Sequence, residues 1–62
     1  MSDLLTALVR YKGFTEEEAI EQIEEAKELL QEYLEEGNEY DAYNICEEMW
    51  GLEPDYLDDL LF

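Results

Sequence analysis

Carboxylates dominate the side chains that could do chemistry in this chain of 62 residues. Nineteen Asp and Glu stand against three Lys and Arg, there is no His, and Cys46 is the lone cysteine. Without an imidazole, neither a Ser–His triad nor a Cys–His pair can form, and paired carboxylates need a dry cleft to separate their pKa values. A chain this short rarely encloses such a cleft. We therefore predict that the protein is not an enzyme and has no catalytic residues.

Metal and cofactor sites are equally poorly supported. One Cys and no His exclude the usual zinc sites within a single chain, and "GNEYD" and "DYLDD" lack the spacing and glycine of a calcium-binding EF-hand loop. A lone cysteine also excludes an internal disulfide and is typical of a reducing compartment. No apolar run approaches the ~20 residues of a membrane span. The sequence predicts no metal, no cofactor, no membrane contact and a cytoplasmic location.

The first half of the chain reads as two helices. "DLLTALVRYK" repeats apolar residues at helical spacing, with Asp3 or Ser2 as its N-cap and Gly13 after its end. The next segment begins with a capping box, in which Thr15 is followed three residues later by Glu18. Gly37 follows that segment about six turns later. These signals predict helices over about 3–12 and 16–36.

The second half predicts two further helices, because Asn38 can cap a segment that ends before Gly51 and because Pro54 suits a first helical turn. Their spans are about 39–50 and 54–61. No segment alternates apolar and polar residues as a half-buried strand would. We predict a single all-α domain over 1–62, a compact three- to four-helix bundle with one long acidic central helix.

The long central helix has two chemically different sides at 100° per residue. One side is apolar and carries Ile20, Ile23, Leu30 and Leu34, flanked by Ala19, Ala26 and Tyr33. The opposite side carries six residues that we call the glutamate stripe: Glu17, Glu21, Glu24, Glu28, Glu32 and Glu35. At ~1.5 Å per residue the stripe is ~27 Å long, with about one carboxylate per ~5 Å. One DNA strand carries a phosphate every ~3.4 Å, which is a charge density of the same order.

The stripe weakens its own helix, which favours a functional reason for it. Like charges at i,i+4 destabilise a helix by ~0.2–0.5 kcal/mol per pair, and Glu35 lies at the helix end where lysine would be favoured. The alternative is that the stripe binds nothing and is a solvated face that keeps the protein soluble. A net charge of magnitude ~2–8 is enough for solubility in a small domain, whereas this chain carries −16. We therefore expect the stripe to bind a partner.

The expected partner is a basic protein, because an acidic surface repels nucleic acid and is attracted to the proteins that bind it. We predict binding to a nucleic-acid-binding enzyme or a defence protein of a host cell, without direct binding of nucleic acid. Tyr40 beside Asp41 would add an aromatic anchor rimmed by acid. The partner-binding residues predicted from sequence are thus the glutamate stripe, Tyr40 and Asp41.

Two alternatives stay open at this point. The first is a structural or assembly protein, as a homodimer, whose acidic surface serves only solubility. The second is an adaptor that docks through its C-terminal amphipathic helix, since "LDDLL" fits the LxxLL pattern of docking helices. Its docking residues would be Leu57, Leu60, Leu61 and Phe62.

Two segments, "GFTEEEAIEQIEEAKELL" and "GLEPDYLDDLL", resemble small acidic proteins encoded by tailed bacteriophages. The resemblance covers about half of the chain. It implies a viral origin and a bacterial host cell as the working compartment. Small acidic phage proteins often inhibit host nucleic-acid enzymes or defence systems, sometimes by mimicking DNA, so the resemblance implies a phage-type inhibitor.

Overall fold

The computed structural model describes residues 3–61, which form five α-helices and one 3₁₀ helix and contain no strand. The α-helices are α1 (Asp3–Lys12), α2 (Glu16–Glu35), α3 (Glu39–Tyr43), α4 (Ile45–Trp50) and α5 (Asp58–Leu61), with the 3₁₀ helix over Pro54–Leu57. The all-α class is confirmed. The helices are more numerous and shorter than in the predicted three- to four-helix arrangement. Ser2, one of the two predicted caps, and Phe62 lie outside the described residues.

Both ends of α2 are set by local hydrogen bonds. The Glu18 N–H donates to Thr15 Oγ1 at 3.1 Å, and the Thr15 N–H donates to Glu18 Oε1 at 3.0 Å, which completes the predicted capping box. These bonds, the one from the backbone first, hold the pKa of the Glu18 carboxyl below its usual value. At the other end, the Asn38 N–H donates to the Tyr33 carbonyl at 2.8 Å around Gly37, whose φ is +80°. This is the Schellman pattern, and it ends α2 where the glycine predicted.

The helix predicted over 39–50 is divided at Asn44. The backbone of Asn44, between α3 and α4, has φ −97° and ψ 12°. The Asn44 side-chain Nδ2 donates to the Tyr40 carbonyl at 3.0 Å. Asparagine competes with regular helix in this way by bonding backbone groups itself. Asn38 is the N-cap residue of α3 as predicted, but its side chain makes no capping bond and donates instead to Glu36 Oε2 at 3.3 Å.

The core lies on one side of α2. Ala19, Ala26 and Leu30 of α2 are buried there. The other helices cover them with a set of buried side chains comprising Leu4 and Leu8 from α1, Ala42 from α3, Ile45, Cys46 and Trp50 from α4, and Leu60 from α5. The Trp50 Nε1–H donates to Gln22 Oε1 at 3.1 Å, so the indole is packed with its polar group satisfied. The buried side of α2 is therefore the surface against which the other α-helices pack.

The apolar side of α2 is only partly covered. Ile20 and Leu34, both predicted to face the core, are about half exposed. Leu34 borders a groove with Leu60 and Leu61 of α5, a helix of 4 residues against the 20 of α2. So short a helix covers only a narrow part of α2, and Leu34 beside it stays in contact with water.

A hydrogen bond joins the two ends of the described chain. The Leu4 N–H, in the first turn of α1, donates to Asp59 Oδ2 at 2.8 Å. First-turn amides of a helix have no partner within the helix, and a carboxylate there also interacts favourably with the helix dipole. Asp3, a predicted cap, lies inside α1 and is exposed. The carboxylate that satisfies this amide therefore comes from α5, at the far end of the chain.

Leu30 and Leu34 provide a matched test of which side of α2 is buried. Leu30 is 4% exposed and Leu34 is 50% exposed. We expect Leu30→Ala to lower the free energy of unfolding by ~2–5 kcal/mol, because it removes buried methyl groups and leaves a cavity. We expect Leu34→Ala, on the same helix, to lower it by less than ~1 kcal/mol. Denaturant unfolding measures both, and equal losses would show that the two positions are equally buried.

Cys46 is fully buried in the core, and the pKa of its thiol is raised. Burial, and secondarily the negative charge of Asp59, raises the pKa of Cys46 to about 11 from an ordinary 9.0. The folded state therefore holds its proton over a range where the unfolded state loses it. This contribution to stability is complete below pH 9 and is lost as the pH rises toward 11.

We expect the free energy of unfolding to fall from pH 9 upward, by as much as a tenfold change in the unfolding constant per pH unit. Cys46→Ala should show a shallower fall between pH 9 and 10. That window is diagnostic because it lies below the ordinary tyrosine pKa of 10.0. Denaturant unfolding at intervals across the range measures the slopes, and identical slopes in the two proteins would rule out this role for the thiol.

Candidate acidic partner-binding surface

The glutamate stripe occupies the outer side of α2. All six of its side chains are exposed, and they lie opposite the buried line of Ala19, Ala26 and Leu30. The stripe is ~27 Å long, and the longest dimension of the molecule is 32 Å. None of the six carboxylates bonds another side chain of residues 3–61. The molecule thus presents an unneutralised row of carboxylates along nearly its full length.

Further carboxylates join the stripe at its C-terminal end, around Tyr33. The Tyr33 hydroxyl donates to Glu48 Oε2 of α4 at 3.4 Å. Partial burial raises the pKa of Tyr33, and the negative charges of Glu48, Asp41 and Glu32 raise it further, in that order. These three carboxylates come from α4, α3 and α2. The fold therefore extends the acidic surface beyond α2, through residues far apart in the sequence.

Tyr40 and Asp41 lie on α3 at this same end of the molecule. Tyr40 is 81% exposed, whereas Asp41 is half-buried on the side that approaches Tyr33. Tyr40 lines a shallow depression together with Asn44, Glu47 and Glu48. The last two were not among the predicted binding residues. Their spacing of seven and eight from Tyr40 is the helical signal that could have identified them.

Two of the three basic residues lie on α1, and the third lies on α2. Arg10 and Lys12 occupy the last turn of α1, where positive charge interacts favourably with the helix dipole. A Cβ placed on Gly51 would lie 3.8 Å from Lys12 Nζ, so this ammonium also lies at the C-terminal end of α4. Lys27 borders a shallow groove between α2 and α5. Positive charge thus lies at helix ends and on one flank of α2, where Lys27 follows the stripe residue Glu24 by three positions, while all six stripe positions are acidic.

The residues predicted for adaptor docking have mixed positions. Leu60 is buried, Leu57 is half-buried, Leu61 is about half exposed, and Phe62 lies outside the described residues. Asp59, between them, bonds the Leu4 amide. For Leu60 to reach a partner, α5 would have to leave the core and break this hydrogen bond.

Within residues 3–61, no group of three or more His, Cys, Asp and Glu is arranged to hold a metal ion. Of the helices described, none is long and apolar enough to cross a membrane.

Comparison with known proteins adds no relative. No protein-family model, no curated protein and no solved structure gives a significant match to this chain. The resemblance to small acidic phage proteins stays a prediction.

Repulsion within this surface predicts an unusual response to salt. We expect the free energy of unfolding to rise as the ionic strength increases from ~0.01 M to ~0.15 M, because the Debye length falls from ~30 Å to ~8 Å and screens the carboxylates from one another. Thermal or urea unfolding at a series of NaCl concentrations measures the effect. Stability that does not change with salt would contradict a strained acidic surface.

Proposed function

We propose that this protein is a small non-catalytic inhibitor or modulator of the phage type, which places its acidic surface in the basic nucleic-acid-binding groove of a host protein. The observation that carries the proposal is the exposed glutamate stripe, whose carboxylates bond no other side chain of residues 3–61 along ~27 Å of α2. Its placement on one helix resembles the row of charges along a nucleic-acid backbone. The residues proposed to contact the partner are the glutamate stripe, Tyr40 and Asp41.

The energetics of such a complex follow from charge. Long-range attraction between the −16 protein and a basic groove would speed encounter, and the complex would weaken steeply with salt. The carboxylates of Asp41 and Glu48 lie beside the stripe and widen the acidic surface. This widening favours a groove that accommodates more than one strand of phosphates.

A homo-oligomer is the second candidate, and one observation favours it. Leu34 and Leu61 expose about half of their surface along the groove between α2 and α5, and Ile20 is similarly exposed. An apolar interface there would join two copies away from their glutamate stripes. Salt distinguishes the candidates, because an apolar dimer would persist at an ionic strength that dissociates a charge-driven complex.

The first test identifies the kind of partner. The immobilised protein would be exposed to a bacterial lysate at low salt, and the retained proteins identified by mass spectrometry. We expect nucleic-acid-binding proteins that added duplex DNA releases. Retained proteins that duplex DNA does not displace would contradict competition for a nucleic-acid groove.

The second test removes the charge of four of the six stripe residues while keeping side chains of nearly the same size. We expect replacement of Glu21, Glu24, Glu28 and Glu32 by Gln to abolish binding while leaving the protein as stable or more stable, because like-charge i,i+4 contacts disappear and glutamine is a good helix former. Calorimetric titration of the DNA-displaced partner measures binding, and thermal melting measures stability. Loss of both together would indicate a structural role for these carboxylates.

A charge-matched variant supplies the control. Glu16→Gln, Glu39→Gln, Glu53→Gln and Asp55→Asn change exposed acids outside the stripe and raise the net charge by the same four units. We expect this variant to keep most of its affinity. Equal losses in the two variants would show that total charge matters and the stripe does not, and full affinity in the stripe variant would refute the proposal.

A further inference from the structure

The outer face of α3 exposes two aromatic rings to solvent. Tyr40 is 81% exposed and Tyr43 58%, and Tyr40 is the most exposed large hydrophobic side chain of residues 3–61. A tyrosine in a chain with so small a core would contribute more to stability if it were buried. Aromatic rings left on the surface are typical of binding sites.

The depression beside Tyr40 is lined by hydrogen-bond acceptors. Tyr40, Asn44, Glu47 and Glu48 recur at i, i+4, i+7 and i+8, so they share one face of α3 and α4 despite the break between the helices. The Asn44 Nδ2 donates to the Tyr40 carbonyl, which leaves its Oδ1 as an acceptor. Glu48 uses Oε2 to accept from Tyr33, which leaves its Oε1. No basic side chain lines the depression.

An aromatic ring beside several acceptors matches the guanidinium group. Arginine presents a planar fork of five donors and stacks on aromatic faces, whereas the lysine ammonium is a compact, strongly hydrated charge. We propose that the face formed by Tyr40, Asn44, Glu47 and Glu48 receives an arginine side chain of the partner protein. This inference rests on the proposed function and adds the chemistry of one specific contact to it.

The position of the depression suits this role. Tyr33 lies between Glu48, which borders the depression, and Glu32, which belongs to the glutamate stripe. The depression is therefore adjacent to the C-terminal end of the stripe. A basic groove that accepts the stripe would carry arginines within reach of Tyr40, so that the long row of carboxylates provides attraction and the tyrosine provides selectivity.

The test compares arginine with lysine at equal charge. Calorimetric titration at low salt would measure the affinities of octa-arginine and octa-lysine peptides for each protein. We expect the parent to prefer octa-arginine, and Tyr40→Leu to reduce the ratio of the two affinities by about two- to fivefold. Tyr40→Phe should keep the ratio because it keeps the ring. Tyr11→Leu is the matched control, since Tyr11 is 74% exposed on α1, outside the depression.

The outcomes separate this inference from the function on which it rests. A parent that binds both peptides equally, or a ratio unchanged in Tyr40→Leu, would overturn the arginine site. Replacement of Glu21, Glu24, Glu28 and Glu32 by Gln should lower both affinities and keep their ratio. If the ratio depends on Tyr40 but the lysate yields no partner that DNA displaces, the arginine site stands and the proposed groove is wrong. A DNA-displaced partner with no effect of Tyr40 on the ratio gives the reverse result.

Discussion

All four other α-helices pack against α2, so the stability of the fold depends on the one side of α2 that carries Ala19, Ala26 and Leu30. Two of these three residues are alanines, which let neighbouring helices approach closely and contribute little apolar surface of their own. The larger side chains come from the opposing helices, chiefly Leu4, Leu8 and Ile45. A core of this size supplies only a few kcal/mol of net stability. Every other feature of the chain has to be compatible with that small margin.

The glutamate stripe uses part of this margin, because like charges along one helix face raise the free energy of the folded state. Hydrogen bonds at the helix ends offset the repulsion, some of them local and one of them long-range. The capping box at Thr15 and the Schellman turn at Gly37 satisfy amide and carbonyl groups at the two ends of α2. Asp59 satisfies the Leu4 amide of α1. The helix thus combines well-formed ends with an unfavourable outer face, which is the pattern expected when that face serves something other than stability.

The features that could be predicted from sequence are those determined within a few residues. The capping box at Thr15 and the glycine at position 37 act locally, and the structure shows both as expected. The break at Asn44 could not be predicted from apolar spacing, since Ala42, Ile45 and Met49 keep helical spacing across it. The exposure of Leu34 depends on how short the neighbouring α5 is. The bond from Leu4 to Asp59 joins positions 55 residues apart, which no local pattern indicates.

The acidic surface likewise combines features that sequence predicts with features that only the packing of the helices produces. The six stripe positions follow from helical periodicity, and all six are exposed. Glu47 and Glu48 were not predicted, because the apolar spacing of residues 39–50 indicates the buried side of this segment and not which polar residues share a face with Tyr40. The meeting of Glu32, Asp41 and Glu48 around Tyr33 required the packing of three helices. Such convergence is set by tertiary structure, so it could not be obtained from any single helix.

The few basic residues lie at two helix ends and on one flank of α2. Arg10 and Lys12 lie at the end of α1, and Lys12 also lies near the end of α4. Lys27 lies on the flank of α2 beside α5. The exposed side chains of the stripe, Glu47 and Glu48 are all carboxylates. A basic partner of the kind proposed would be attracted to these residues, and the charge that steers its approach would also orient it for contact with them.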